Sequence, residues 1–262
     1  IMAGDWSSDV CSSDLRNMRS IFIVIYVFLF LLLGLPVLGL MWIIGKFNKP
    51  WADMAQLRIV QWAFRCIIFM SGSKLDIRGE ENIPKDEAVL YIGNHRSFFD
   101  IIITYSRCPR LTGYISKKSI LKIPVLGLWM KRLHCLFLDR DDIKQGFKVI
   151  LTAIDEVKSG VSICVFPEGT RCKNQDDPAE VLPFKEGSFK IATKSKCKII
   201  PIAITGTAEI FEDHLPWVHK NNVTITYGKP IDVSGLSKEE TKHLGAYCRN
   251  VIVDMLHESA AK

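Results

Sequence analysis

From Ile21 to Gly45 the chain reads IFIVIYVFLFLLLGLPVLGLMWIIG without a single charge. As one helix this run reaches about 37 Å, enough to span a hydrocarbon core. It predicts a membrane-anchoring helix. The apolar part of a cleaved signal peptide is shorter and ends in a small-residue cleavage site, and no such site is evident here. Pro36, in Gly34-Leu35-Pro36, removes a hydrogen bond and kinks a helix, so a bent re-entrant segment stands open beside a straight span. Arg16 and Arg19 flank one end, Lys46 and Lys49 the other. That tie assigns no orientation by the positive-inside rule. A second apolar helix is predicted from about Trp51 to Met70, broken only by Asp53, Arg58 and Arg65. Two readings fit it: a helix lying in the membrane interface, and one packed on the domain that follows.

After Gly72 the pattern changes to short β-rich runs alternating with helical ones. Strands are predicted at Leu75–Gly79, Ala88–Asn94, Leu111–Ser116, His134–Asp139, Val161–Pro167, Lys198–Thr205 and Val223–Gly228. Several are apolar at consecutive positions, as strands covered on both faces require. Within Asp142–Lys158, Ile143, Phe147, Ile150, Leu151, Ile154 and Val157 form one apolar helix face. Ser237 and Glu240 make a capping box, with Leu244, Tyr247, Val251 and Met255 following at helical spacing. The fold expected is α/β: a mostly parallel central sheet flanked by helices, preceded by an N-terminal hydrophobic membrane-anchoring helical region. This divides the chain into a leader at 1–15, membrane-associated helices at 16–72 and an α/β domain at 73–262. The leader, IMAGDWSSDVCSSDL, is polar and without periodicity. It resembles translated sequencing adapter, so it is left out of fold reasoning and Met18 is the expected native start.

Composition adds limits. With 262 residues and 48% hydrophobic content, the chain builds a sizeable core. The formal charge of +6 is modest and its lysines are scattered. No basic stripe interleaved with aromatics points to nucleic acid. The eight cysteines form no C-x-x-C pair. Cys135, Cys164 and Cys197 fall in strand-like runs, which suits buried free thiols in a reducing compartment. No His/Cys cluster has zinc-ligand spacing.

The stretch NHRSFFD, Asn94 to Asp100, follows a predicted strand. In one reading Ser97 caps a helix and Asp100, three positions on, reaches back to its freed N–H groups. In the other, Asp100 orients His95, which removes a proton from a substrate hydroxyl. Three further stretches sit at strand ends: LFLDR with Asp139 and Arg140, FPEGTR from Phe166 to Arg171, and FKEGSFKIA from Phe184 to Ala192. Singly, each is an ordinary turn or a solvated charge. Asn94 and His95 fall at the carboxyl end of a predicted strand, where ligands gather on open α/β sheets.

Taken in order, NHRSFFD, LFLDR, FPEGTR and IIPIAITG (Ile199 to Gly206) resemble the four motif blocks of the glycerolipid acyltransferases, in particular the 1-acyl-sn-glycerol-3-phosphate acyltransferase (PlsC-like) group. The resemblance covers roughly residues 74 to 230. Lys117 to Arg140 also looks like the family's region between its first two blocks. One departure is visible: Leu133-His134-Cys135 stands where members often have a glycine.

The resemblance implies transfer of an acyl chain from acyl-CoA or acyl-carrier protein to the free sn-2 hydroxyl of 1-acyl-sn-glycerol 3-phosphate (lysophosphatidic acid), giving phosphatidic acid. His95 is then the general base and Asp100 fixes its tautomer. Arg140 and Arg171 converge on the acceptor phosphate, with Lys117 a further candidate. Glu168 holds Arg171 or accepts from a glycerol hydroxyl, and Gly169 allows close approach. No metal or cofactor is implied beyond the acyl donor as co-substrate. The expected site of action is the cell membrane, with the catalytic domain facing the cytoplasm, where the donor is made. Three rivals stay open: another lysophospholipid acceptor, a catalytically silent membrane lipid-binding protein, and a hydrolase using Ser97 beside the His–Asp pair.

Overall fold

The computed structural model describes residues 6–260 apart from 174–176 and 178. Residues 1–5 of the leader lie outside the described residues. All seven predicted strands form: β1 Lys74–Arg78, β2 Leu90–Gly93, β3 Thr112–Lys117, β4 Leu136–Leu138, β5 Ser162–Val165, β6 Ile199–Thr205 and β7 Asn222–Tyr227. They make one sheet in the order β1-β7-β6-β2-β5-β3-β4. The strands from β6 to β4 are mutually parallel. β7 runs antiparallel to β6, and β1 follows β7.

Alternation along these strands feeds two cores. Val89 and Tyr91 face one side of β2, Leu90 and Ile92 the other. Likewise Cys164 faces the first side, while Ile163 and Val165 face the second. The second side is covered by α5 (Ile143–Lys158), α6 (Lys190–Ser195) and α8 (Leu244–Ala260). The first side meets α1 (Trp6–Gly45), α2 (Lys49–Ser71), α3 (Phe98–Tyr105) and α4 (Pro124–Arg132). Side chains such as Ile92 and Ile163 are fully buried, each contributing about 1.5–3 kcal/mol over exposure.

The C-terminal region differs from its predicted single helix. Ser237 and Glu240 do exchange capping bonds, 2.9 and 3.2 Å. The helix they start, α7 (Lys238–Lys242), stops at His243. A second N-terminus opens at α8, because the buried start of that helix finds its own acceptor: the Glu186 carboxylate takes the Gly245 N–H. α4 and α6 carry no clear periodicity and are visible only in the structure.

α1 continues unbroken through Pro36. It carries an apolar stretch, Asn17–Gly45, long enough to cross a membrane. The helix lies lengthwise against the rest of the fold. Ile23, Leu38 and Met41 are buried, Gly34 lies under the Trp129 ring, and Gly45 approaches Ala52 and Arg132. Its other side is bare: Phe22, Phe28 and Leu33 are 55%, 65% and 65% exposed. α2 folds back along it after a cap in which Asn48 accepts from Trp51 N. Gly72, at φ 71°, ends α2.

Of the two readings of the second helix, packing on the domain is what the inner face of α2 does. Gln61 donates to the carbonyls of Tyr105 and Cys108, and Arg65 to that of Ser106. These are last-turn carbonyls of α3 and its exit, which no helix can satisfy internally. The opposite face still shows Trp51, Trp62 and Phe69 to the outside. Between this helix pair, α3, α4 and β3 lies an apolar cavity of about 250 Å³, lined by Val27, Phe30, Ala63, Ile102, Trp129 and Met130 among others.

Candidate active site

β2 ends at Gly93 in the middle of the sheet, beside β5 and β6. Asn94 locks that end in place: its amide donates to Ile204 O and accepts from Ile204 N, both at 2.9 Å. The chain then turns into α3, and both readings of NHRSFFD hold at once. Ser97 is the N-cap, accepting from Phe99 N at 3.0 Å. Asp100 reaches back to the N–H groups of Arg96 and Ser97 at 2.7 and 2.8 Å. The same oxygen of Asp100 lies 2.8 Å from His95 Nδ1. The other oxygen accepts from the Thr207 hydroxyl at 2.5 Å.

Asp100 is fully buried, and the other three partners are donors. A carboxylate so surrounded acts only as acceptor, so Nδ1 carries the imidazole proton. Nε2 is left as a base. The His95 side chain is 16% exposed, which leaves it reachable.

FPEGTR and the Cys172 that follows it grip the main chain of His95 from both sides. Glu168 accepts from His95 N at 2.6 Å, and Cys172 N donates to His95 O at 2.8 Å. Phe166 stacks on the imidazole, ring centres 4.4 Å apart. Glu168 also accepts from Leu182 N at 2.9 Å. Burial pushes this carboxyl up to about 7, against the pull of those two backbone bonds. Gly169 has φ 74°, a conformation that favours glycine.

The expected link between Glu168 and Arg171 is not made. Glu168 spends both oxygens on backbone N–H groups, and Arg171 Nη1 pairs instead with Glu212 at 2.6 Å. The Arg171 guanidinium also sits over the Phe98 ring, 4.3 Å from its centre. Arg171 therefore lies against the start of α3, the segment that follows His95 in the chain. Lys117 and Arg140 share the carboxyl edge of the sheet through the pairings β2–β5–β3–β4, Lys117 ending β3 and Arg140 just past β4. Both are exposed, and neither side chain makes a hydrogen bond or ion pair among the described residues.

Two site residues escaped the sequence. Thr207 directly follows the IIPIAITG block, and that adjacency was its one signal. Glu212 lies in no block and left none. The cysteines whose side chains are described are free. Burial pushes the thiols of Cys108 and Cys135 up to about 11 and 12, which makes them poor nucleophiles.

Comparison with known proteins agrees with this geometry. A family model described as Acyltransferase matches residues 74–205. The 1-acyl-sn-glycerol-3-phosphate acyltransferase of Borreliella burgdorferi is 32% identical over 191 residues, covering 72% of this chain and 74% of its own. The enzyme of that name from Haemophilus influenzae is 29% identical over 224 residues, covering 85% and 89%. The crystal structure of the 1-acyl-sn-glycerophosphate (LPA) acyltransferase PlsC from Thermotoga maritima superposes with a TM-score of 0.77 at 25% identity, covering 94% of this chain and 98% of that one. The matched segment runs from β1 to the end of β6 and includes the His95–Asp100 pair and the loop that grips it, so the chain belongs to the acyltransferase family of enzymes.

Proposed function

We propose that this enzyme transfers an acyl chain from acyl-CoA or acyl-carrier protein to the sn-2 hydroxyl of 1-acyl-sn-glycerol 3-phosphate, forming phosphatidic acid at a membrane surface. The observation that carries the reading is the 2.8 Å contact between His95 Nδ1 and a fully buried Asp100. The names of the relatives support the acceptor.

The acceptor hydroxyl attacks the thioester carbonyl carbon while its proton passes to His95 Nε2. A C–O bond forms and the carbonyl electron pair moves to oxygen. Asp100 stabilises the imidazolium. The tetrahedral species then collapses, the C–S bond breaks, and the departing thiolate takes the proton back from Nε2. No acyl-enzyme forms. Arg171 contacts the acceptor phosphate, and Lys117 and Arg140 supply further positive charge on the same sheet edge.

The apolar cavity under α1 and α2 opens beside Phe98 and Ile102 of α3. An acyl chain fits its lining, which is almost free of polar surface. The bare apolar side of α1 supports a position of this mouth against the lipid leaflet. The donors named are water-soluble and cytoplasmic, so the domain faces the cytoplasm. The test is a direct assay of the purified full chain in detergent, using a panel of lysophospholipids with acyl-CoA and with acyl-carrier protein. Preference for lysophosphatidate is expected. Turnover only with another headgroup contradicts the acceptor, and thioester hydrolysis without transfer contradicts the reaction.

A further inference from the structure

Glu212 belongs to none of the motif blocks, yet three donors at the start of α3 and the FPEGTR loop converge on it. Its Oε1 accepts from Arg171 Nη1 at 2.6 Å and from Phe98 N at 2.8 Å. Its Oε2 accepts from the Ser97 hydroxyl. A guanidinium, a hydroxyl and a first-turn helix N–H are the donors that hold a phosphate. In this structure the protein's own carboxylate has taken all three.

We propose that Glu212 is an internal competitor for the acceptor's phosphate. It holds the three donors in place in the empty enzyme and must swing away for the phosphate to bind. The inference rests on the reading of Arg171 as the acceptor-phosphate contact. Two negative groups cannot share one guanidinium at this spacing without strong repulsion. The three donors are also already used by the two oxygens of Glu212. A phosphate offers three terminal oxygens and up to two charges, so it has the means to displace a single carboxylate. Glu212 has somewhere to go: its side chain is 13% exposed, and it sits on one short turn, Glu212–His214. The turn continues into the exposed segment Leu215–Trp217.

The experiment measures glycerol 3-phosphate, the acceptor headgroup without its acyl chain, as an inhibitor competing with acceptor. Wild type, Glu212→Gln, Glu212→Asp and Arg171→Ala are compared as full-length enzymes in detergent, with melting followed in parallel. Glutamine keeps the size and loses the charge that strengthens the bond to Arg171. The inhibition constant should therefore fall about tenfold in Glu212→Gln, and stay near wild type in Glu212→Asp. A gain of affinity is not what damage to the loop produces. A constant that rises or stays level in Glu212→Gln, while Arg171→Ala weakens inhibition, overturns the competitor role and leaves Arg171 on the phosphate. No change in Arg171→Ala overturns the Arg171 reading itself.

Discussion

Glu168 shows how one residue's environment leaves a readable trace. Its carboxyl is buried with two backbone donors, His95 N and Leu182 N, and burial pushes it up to about 7 from an ordinary 4.5. A folded value above the unfolded one favours the folded state fully below the unfolded value. That advantage is lost as pH rises through the folded value. Glu168→Gln does not titrate, and its NH2 group opposes one of the two N–H donors. The variant should be less stable by about 1–3 kcal/mol at pH 5. The gap should shrink as pH rises to 8, because only the wild type loses the buried proton. Denaturation midpoints of both proteins at pH 5, 6, 7 and 8 check this, and a gap independent of pH counts against it. The same residue marks a limit of motif reading: FPEGTR pointed to this glutamate, but its geometry is that of a brace for His95 rather than a partner for Arg171. His134 is a second case. It lies in Leu133-His134-Cys135, the stretch whose likeness to the family suggests a glycine, and it adopts φ 58°. Its ring lies 2.9 Å from Glu156 and 3.4 Å from Asp53, so side-chain contacts offset the strain that glycine avoids.

At the scale of elements, apolar continuity made the strands legible. Each of the seven runs forms near its predicted place, because a strand covered on both faces has few polar positions to blur it. α4 and α6 were not legible, since nine and six residues carry little helical periodicity. The predicted C-terminal helix broke where Glu186, distant in sequence, supplied a cap. The site followed the same rule. His95 and Asp100 were readable because they lie five positions apart, whereas Thr207 and Glu212 reach α3 across 107 and 115 positions. The helix pair α1–α2 has its own consequence, through the cavity of about 250 Å³ it roofs. Ile102→Trp, which fills that cavity from α3, should lower turnover with long-chain substrates at least tenfold more than with short-chain ones. Such a shift corresponds to about two methylenes denied burial. Equal losses for both would remove the cavity from acyl-chain binding.

Across the whole molecule, the parts assemble around one sheet edge. β2, β5 and β6 end together, and the His95 imidazole there meets Asp100 of α3 and Phe166 after β5, with Thr207 after β6 holding Asp100. The apolar cavity and the bare side of α1 lie on the same face of the sheet as α3. In the proposed function a lipid acceptor reaches His95 from the leaflet, and a soluble donor from the carboxyl edge. On that reading the arrangement serves the removal of one proton by His95. The most direct measurement is the acyl-transfer rate of purified full-length His95→Ala, with a melting curve matched to wild type. The fold should survive, because the bonds to Glu168 and Cys172 use the His95 backbone. Loss of a general base typically lowers the rate by about 10²–10⁴-fold, and that fall is the predicted result. A folded His95→Ala enzyme that keeps more than about a tenth of the wild-type rate contradicts the assignment of His95 as the base.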